Sequence, residues 1–408
     1  MVMTGTRRDA PPSRRPAGDR LPAAYDAVVV GARVAGASTA MLMAREGLRV
    51  LLLERAPAPG TDTLSTLALM RGGVLQLARW GMLDSVRAAG TPAVRTTLVH
   101  YGEETVTVPI QEKAGVGELF APRRTVLDRV LVEGAAAAGV EVRFGAAVDG
   151  LRWEHGRVTG VDGRDRNGHR FEARAALVVG ADGHTSGIAR AVAPEVTWRG
   201  RASGGVLFAL YTDLPVEGFE WFYREGATAG FMPTNDGLTL AWVGVPTARF
   251  HAEVRRDLEA GFGRLLREAA SEALERVGAA RRAGPLRGFP GSPGYLRRPW
   301  GPGWALVGDA GSFRDPLSAH GMTDAMRDAE LLARAALAHA ADPAAGAMAG
   351  YERDRDEVAV PLAEITEALA SYRWSLAEVN RILKSLSRAM GREVERLAAL
   401  GTASTAAA

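Results

Sequence analysis

Glu54 stands 23 positions after Gly31, and the text between them carries a specific chemistry. The segment reads YDAVVVGARVAGASTAMLMAREGLRVLLLERAP from Tyr25. An acid at that distance from the first glycine can accept hydrogen bonds from an adenosine ribose, as in a dinucleotide fingerprint. Gly31, Ala32, Arg33, Ala35 and Gly36 would supply the phosphate-side turn, with Glu54 and Arg55 at the ribose side. Glycine at 33 would complete the Gly-x-Gly-x-x-Gly pattern, but Arg33 occupies it. Its guanidinium could pair with a pyrophosphate, or it could mark a site that has lost its ligand.

Those residues need a strand, a turn, a helix and a second strand to hold them. Ala27 to Val30 is a short apolar run, as a parallel strand covered on both faces requires. Ala35 to Glu46 has helical composition and is stopped by Gly47. Arg49 to Leu53 is a second apolar strand, delivering Glu54 at its end. The helix would turn its free N–H groups and partial positive charge toward the pyrophosphate.

The composition removes competing chemistries. The chain has 408 residues and no cysteine, which excludes disulfides, thiolate metal sites and thiol redox relays. Lys113 and Lys384 are the only lysines, so an amine nucleophile has two candidates. The seven histidines give no two-His helical spacing beside an acid, and no metal site is expected. No Gly-x-Ser-x-Gly elbow for a hydrolase occurs. Fifty basic against 47 acidic side chains, net +3, argue against nucleic acid as partner. No apolar run is long enough to span a membrane. Residues 1–24, with Arg7, Arg8, Arg14, Arg15 and Arg20, lack the apolar core of a secretory signal. A soluble, cytoplasmic protein with a disordered basic tail is expected.

Four later segments complete a pattern. They are Arg71-Gly72-Gly73-Val74-Leu75, Arg124-Thr125-Val126-Leu127-Asp128, Val178-Val179-Gly180-Ala181-Asp182-Gly183, and Leu306-Val307-Gly308-Asp309-Ala310 followed by Pro316 and Gly321. In order and spacing, over roughly residues 25–340, they resemble the p-hydroxybenzoate-hydroxylase-like (group A) FAD-dependent monooxygenases. The geranylgeranyl-reductase-like and halogenase-like flavoproteins share the set. The resemblance implies that Asp309 holds the ribityl chain of FAD. It also implies that a helix from Gly321 through Leu332, with Met322, points its N-terminus at the flavin pyrimidine. Arg71 and Arg124 would reach the pyrophosphate side, and Asp182 the cofactor and NAD(P)H. Departures are Ala319, Gly311, the late Arg190, and His320 where glutamine is common. His320 is the best candidate for a polar group near the reacting centre, with a structural histidine as the alternative.

The resemblance implies an α/β fold: a Rossmann-like FAD-binding domain with an inserted mixed β-sheet substrate domain and C-terminal helices. The FAD-binding parts are read as 25–95, 118–195 and 285–345, and the substrate parts as 96–117 and 196–284. A helical segment at 346–400 and a tail at 401–408 follow. Val140 to Val179 reads as strands joined by turns at Asp149-Gly150, His155-Gly156, Asp162-Gly163 and Asn167-Gly168. Asn235-Asp236-Gly237 signals a hairpin. Phe219, Trp221 and Tyr223 make an aromatic strand face. Trp221, Tyr223, Phe231 and Pro316 are the substrate-pocket candidates, with plain core the competing reading of the aromatic ones. Ala252 to Ala280 and Tyr351 to Leu400 read as helical, the latter burying an apolar stripe against its own chain or forming a homodimer face.

The expected activity is NAD(P)H- and O2-dependent hydroxylation of a small aromatic or polycyclic, secondary-metabolite-like substrate through a flavin C4a-hydroperoxide, as the resemblance implies. A double-bond reductase of geranylgeranyl type and a non-catalytic flavin-binding module are the alternatives. A halogenase would need a lysine near the cofactor and a Trp-x-Trp motif, which does not occur.

Overall fold

The computed structural model describes residues 24–60 and 65–405. The expected basic tail therefore falls, apart from residue 24, outside the described residues, as do residues 406–408.

An eight-stranded sheet carries the strands that end at Glu54 and lead into the Gly31, Asp182 and Asp309 segments. Its main path runs Trp300–Gly301, Trp304–Leu306, Arg170–Gly180, Tyr25–Val30, Val50–Glu54, Glu141–Phe144. Apart from the edge hairpin of Trp300–Gly301, neighbours on this path are parallel. Successive residues of the apolar strands serve opposite faces, as the pleat demands. Ala27, Val29 and Leu52 pack under the Val34–Arg45, Arg124–Ala137 and Gly321–Ala341 helices. Val28, Leu51 and Leu53 pack on Val158, Val161 and Ala173 of the antiparallel strands on the other side. Continuous apolar strands are the sequence trace of this double coverage.

Two of the four expected turns in that antiparallel layer are strand. Asp149-Gly150 lies within Ala147–Glu154 and Asp162-Gly163 within Arg157–Arg164, and Gly150 pairs with Asp162. Gly163 answers to packing instead, whereas Gly150 has open space beside it. A Cβ on Gly163 would come 2.4 Å from the Ala147 carbonyl oxygen and 2.5 Å from the Phe171 ring. His155-Gly156 and Asn167-Gly168 do turn the chain.

A second eight-stranded sheet joins Thr96–Tyr101 and Glu104–Pro109 to the strands between residues 204 and 246. The Asn235-Asp236-Gly237 hairpin links Ala227–Pro233 to Thr239–Pro246. Arg287–Phe289 also pairs with Gly204–Thr212, so this sheet reaches past residue 285. Val196–Arg199 instead joins Tyr295–Arg297 and Ser312–Phe313 in a separate three-stranded sheet. One face of the second sheet is covered by the Leu258–Ala269 and Ser271–Ala279 helices.

The C-terminal region is two helices, Ala347–Ala370 and Leu376–Thr405, broken where Tyr372 takes φ 53°. Leu362, Ile365, Ile382, Leu383 and Leu386 pack with Trp221, Tyr223 and Trp242 of the second sheet. The apolar stripe thus meets its own chain. The Gly321 helix runs to Ala341 rather than Leu332, and the last helix continues to Thr405. No helix among the described residues is long and apolar enough to cross a membrane.

Candidate active site

The C-terminal ends of the parallel strands open into a cavity of about 1080 Å³, just above the roughly 300–1,000 Å³ usual for small-molecule sites. Gly31 enters it at φ +105°, and a Cβ there would lie 2.5 Å from the Ala181 carbonyl oxygen. A Cβ on Gly36 would lie 1.7 Å from the Gly31 carbonyl oxygen. Both positions therefore demand glycine, and together they let the Val34–Arg45 helix start flush against the strand ends. No side chain caps that helix, so its first N–H groups are available to an anion.

Glu54 fixes the same turn from the neighbouring strand. It accepts the Ala32 N–H at 2.9 Å and the Ala56 N–H at 2.8 Å. Arg33 occupies the helix-cap position in extended backbone, and its side chain lines the cavity with Arg55 and Arg124. Arg124 is held by Asp128 through bonds of 2.8 and 3.1 Å. Burial pushes the Asp128 carboxyl up, with the Arg124 guanidinium opposing it.

Two strands away from Gly31, on the side opposite Glu54, the chain leaves Trp304–Leu306 and delivers Asp309. Burial first, then nearby Asp324, pushes the Asp309 carboxyl up to about 6. The Tyr295 hydroxyl donates to its main-chain carbonyl. Asp182 lines the cavity too, but its carboxylate accepts the Ser186 hydroxyl at 2.5 Å and the Gly187 N–H at 2.6 Å, starting the Gly187–Val192 helix. Beside it His184 packs on Phe313, ring centres 4.3 Å apart. Burial, and then Arg297, lower the His184 pKa. Val206 and Phe208 of the second sheet, with Phe289, close this end of the cavity.

Residues 24–366 match the FAD binding domain family. The chain belongs to that family. It is an FAD-dependent oxidoreductase. Among relatives, it is 27% identical over 383 residues to the digeranylgeranylglycerophospholipid reductase of Methanocella arvoryzae, covering 89% of this chain and 88% of that one. Its fold is that of a probable FAD-dependent monooxygenase from Pseudomonas aeruginosa, with TM-score 0.73, 22% identity, and coverage of 88% of this chain and 99% of the other. A variant of a flavin-dependent brominase superposes with TM-score 0.77 at 19% identity, covering 93% and 98%.

The flavoenzyme's cavity gathers most of the residues singled out in the sequence. Gly31, Arg33, Ala35, Glu54, Arg55, Arg124, Asp182, Asp309, Pro316, His320, Gly321 and Met322 all line it. Ala32 stands behind it, its N–H on Glu54, and Gly36 serves helix packing. Arg71 turns away: its guanidinium donates to the Gln111 carbonyl at 2.6 Å. The glycines beside it matter more. A Cβ on Gly72 or Gly73 would press on Thr323 at 2.8 and 3.2 Å, so the pair lets the Arg71–Arg79 helix close on the Gly321 helix.

The aromatic pocket candidates are core. Trp221 and Tyr223 pack with Tyr372 and Trp374 beneath the C-terminal helices. Phe231 faces the other side of the sheet, with the Arg276 guanidinium 4.7 Å from its ring centre. The cavity takes its aromatic wall from Phe208, Phe289 and Phe313 instead. Sequence reasoning missed these three along with His184 and Arg314. Phe208 sits in the nearly all-apolar run Gly204–Thr212, where alternation gives no clue to which side faces a ligand.

Proposed function

We propose that the enzyme is an NAD(P)H-dependent monooxygenase that hydroxylates a small aromatic or polycyclic substrate. The observation that carries this reading is the wall of Phe208, Phe289 and Phe313 at the Asp309 end of the cavity. Flat apolar rings stack on such a wall with little loss of freedom. Bound FAD would supply the two-electron chemistry and, with O2, the oxygen atom transferred.

The chain's own residues bind, orient and keep water out. The N–H groups of the Val34–Arg45 helix start, with Arg33 and Arg124, would take the pyrophosphate, and Glu54 the adenosine ribose. Asp309 would hold the ribityl chain. Val206, Phe208 and Phe289 would shield the reacting face, because a wet site wastes the oxidant. Neither lysine lines the cavity: Lys113 pairs with Glu395 at 2.7 Å, which disfavours halogenation.

Double-bond reduction is the second reading, favoured by the match along 88% of the reductase from Methanocella arvoryzae. Isotopically labelled O2 and a panel of phenols and polyketide-like aromatics separate the two. Label in the product, formed only with O2 present, supports hydroxylation. Product formed equally well without O2 supports the reductase and ends the first reading.

A further inference from the structure

Two segments connect the three-stranded sheet to the second large sheet, and they run side by side. Outbound, the Val196–Arg199 strand leads through residues 200–203 into the Gly204–Thr212 strand. The return runs from the Arg287–Phe289 strand past Gly291 to Tyr295–Arg297. The Gly200 N–H donates to the Gly294 carbonyl at 2.8 Å. Gly291, at φ +90°, passes so close that a Cβ there would stand 2.7 Å from the Gly204 carbonyl oxygen. The aromatic end of the cavity hangs from this crossing. Val206 and Phe208 follow it on the outbound strand, Phe289 precedes it on the return, and Val206 pairs with Phe289.

Two carboxylates hold the crossing, in different ways. Asp315 is 3% exposed and immediately precedes Pro316 of the cavity wall. Its Oδ2 accepts the Gly204 N–H at 2.6 Å, and its Oδ1 accepts the Leu317 N–H at 2.9 Å. One carboxylate thus bridges the Pro316–Gly321 loop and the strand that carries Phe208, with an oxygen for each. Glu367, on the Ala347–Ala370 helix, takes the Arg201 and Ala202 N–H groups on a single oxygen, at 2.7 and 2.8 Å. An amide side chain has one acceptor oxygen and an NH2 group that only donates. It can stand in for Glu367, whose Oε1 accepts both bonds. At 315 it would turn a donor toward a donor.

The groups around Asp315 leave its charge to those two N–H bonds. Arg314 is turned to Asp324 at 2.8 Å. Glu367 lines the same small buried chamber as Asp315. Tyr372, from the turn between the two C-terminal helices, stands over Gly204, 3.1 Å from where a Cβ would lie. Burial pushes the Asp315 carboxyl up to about 6; the Gly204 and Leu317 N–H groups oppose the rise, and Glu367 adds to it. Below that pH one oxygen carries a proton and becomes a donor, so asparagine at 315 imitates the protonated bridge.

We propose that Asp315 is the positioning residue that couples the Pro316–Gly321 loop to the Val206, Phe208 and Phe289 wall, and so keeps solvent from the Asp309 end of the cavity. The proposal does not depend on the choice between hydroxylase and reductase. Two measurements on the FAD-loaded full-length protein, without substrate, test it. Hydrogen exchange followed by mass spectrometry reads the wall itself, and iodide quenching of flavin fluorescence reads its seal. At pH 7.5, D315N is expected to keep its FAD and to exchange the Gly204–Thr212 amides on the order of tenfold faster. Its iodide quenching constant should rise several-fold, while E367Q matches the wild type in both readouts. F208A opens the wall directly, so adding D315N to it should raise quenching no further. The difference in exchange between D315N and wild type should close at pH 5, where Asp315 is itself protonated; Asp309 titrates alike in both proteins and cancels. With no change at 315, exchange of this strand relative to Ala227–Pro233 should rise between pH 7.5 and 5, in D309N as in the wild type. Equal exchange in D315N and wild type at pH 7.5 overturns the proposal, as does a difference that persists at pH 5. An E367Q that behaves like D315N, or faster exchange in D315N with unchanged quenching, overturns it too. D315N purified without flavin assigns the carboxylate to the cofactor loop alone and overturns it equally.

Discussion

The Tyr295 hydroxyl donates to the main-chain carbonyl of Asp309 at 2.6 Å. The bond ties the three-stranded sheet to the turn that ends the Trp304–Leu306 strand. Arg297 covers the other face of the phenol ring, 4.1 Å from its centre. Tyr295 is buried, so Y295F leaves a buried carbonyl without this donor. A loss of about 1 kcal/mol is expected in denaturant unfolding, with a several-fold weaker FAD affinity in fluorescence titration. Unchanged affinity would show that Asp309 does not depend on this tie.

Gly31 admits no side chain. G31A combines a positive φ with a Cβ 2.5 Å from the Ala181 carbonyl oxygen, a cost of about 3 kcal/mol from strain and overpacking together. Lower thermal stability and protein purified without flavin are the expected results. G47A, at a positive-φ position with nothing within 4 Å of the added Cβ, separates strain from crowding and should retain its flavin.

The raised Asp309 carboxyl gives a pH signature. Its folded value is about 6 against an ordinary 3.8. Between these values the folded state holds the proton more tightly than the unfolded chain. Stability from this group is full below pH ~4 and declines as pH rises to ~6. D309N removes the decline. Denaturant unfolding of flavin-free protein at pH 4, 5, 6 and 7 should show the wild type losing ground to D309N across that window and no further change above it. Parallel curves would refute the assignment.

Phe208 and Trp221 lie on one sheet, three strands apart, but should fail differently. Trp221 packs edge-on against Trp242 at 5.7 Å in the core, so W221A should cost about 3–5 kcal/mol. Phe208 lines the cavity. F208A should keep its flavin and raise the fraction of NAD(P)H oxidised without product, read as H2O2 formed per NAD(P)H consumed.

The readable parts of this fold are those governed by backbone constraints. Gly31, the Val34–Arg45 helix and Glu54 could be placed because a parallel strand, a flush helix start and an acid at the next strand end leave few residue choices. Asp162-Gly163 misled because a glycine accommodating a cross-strand ring looks like a glycine in a turn. Phe208 and Trp221 could not be sorted because both faces of their sheet are buried, so apolar periodicity carries no label for ligand against core. The His320–Glu393 contact joins residues 73 apart, and no local pattern encodes it.

Glu393 sits on the last helix, while its partners His320 and Arg327 belong to the start of the Gly321 helix, where His320 borders the cavity. Loosening the last helix would therefore be felt at the cavity wall, although none of that helix's residues lines it.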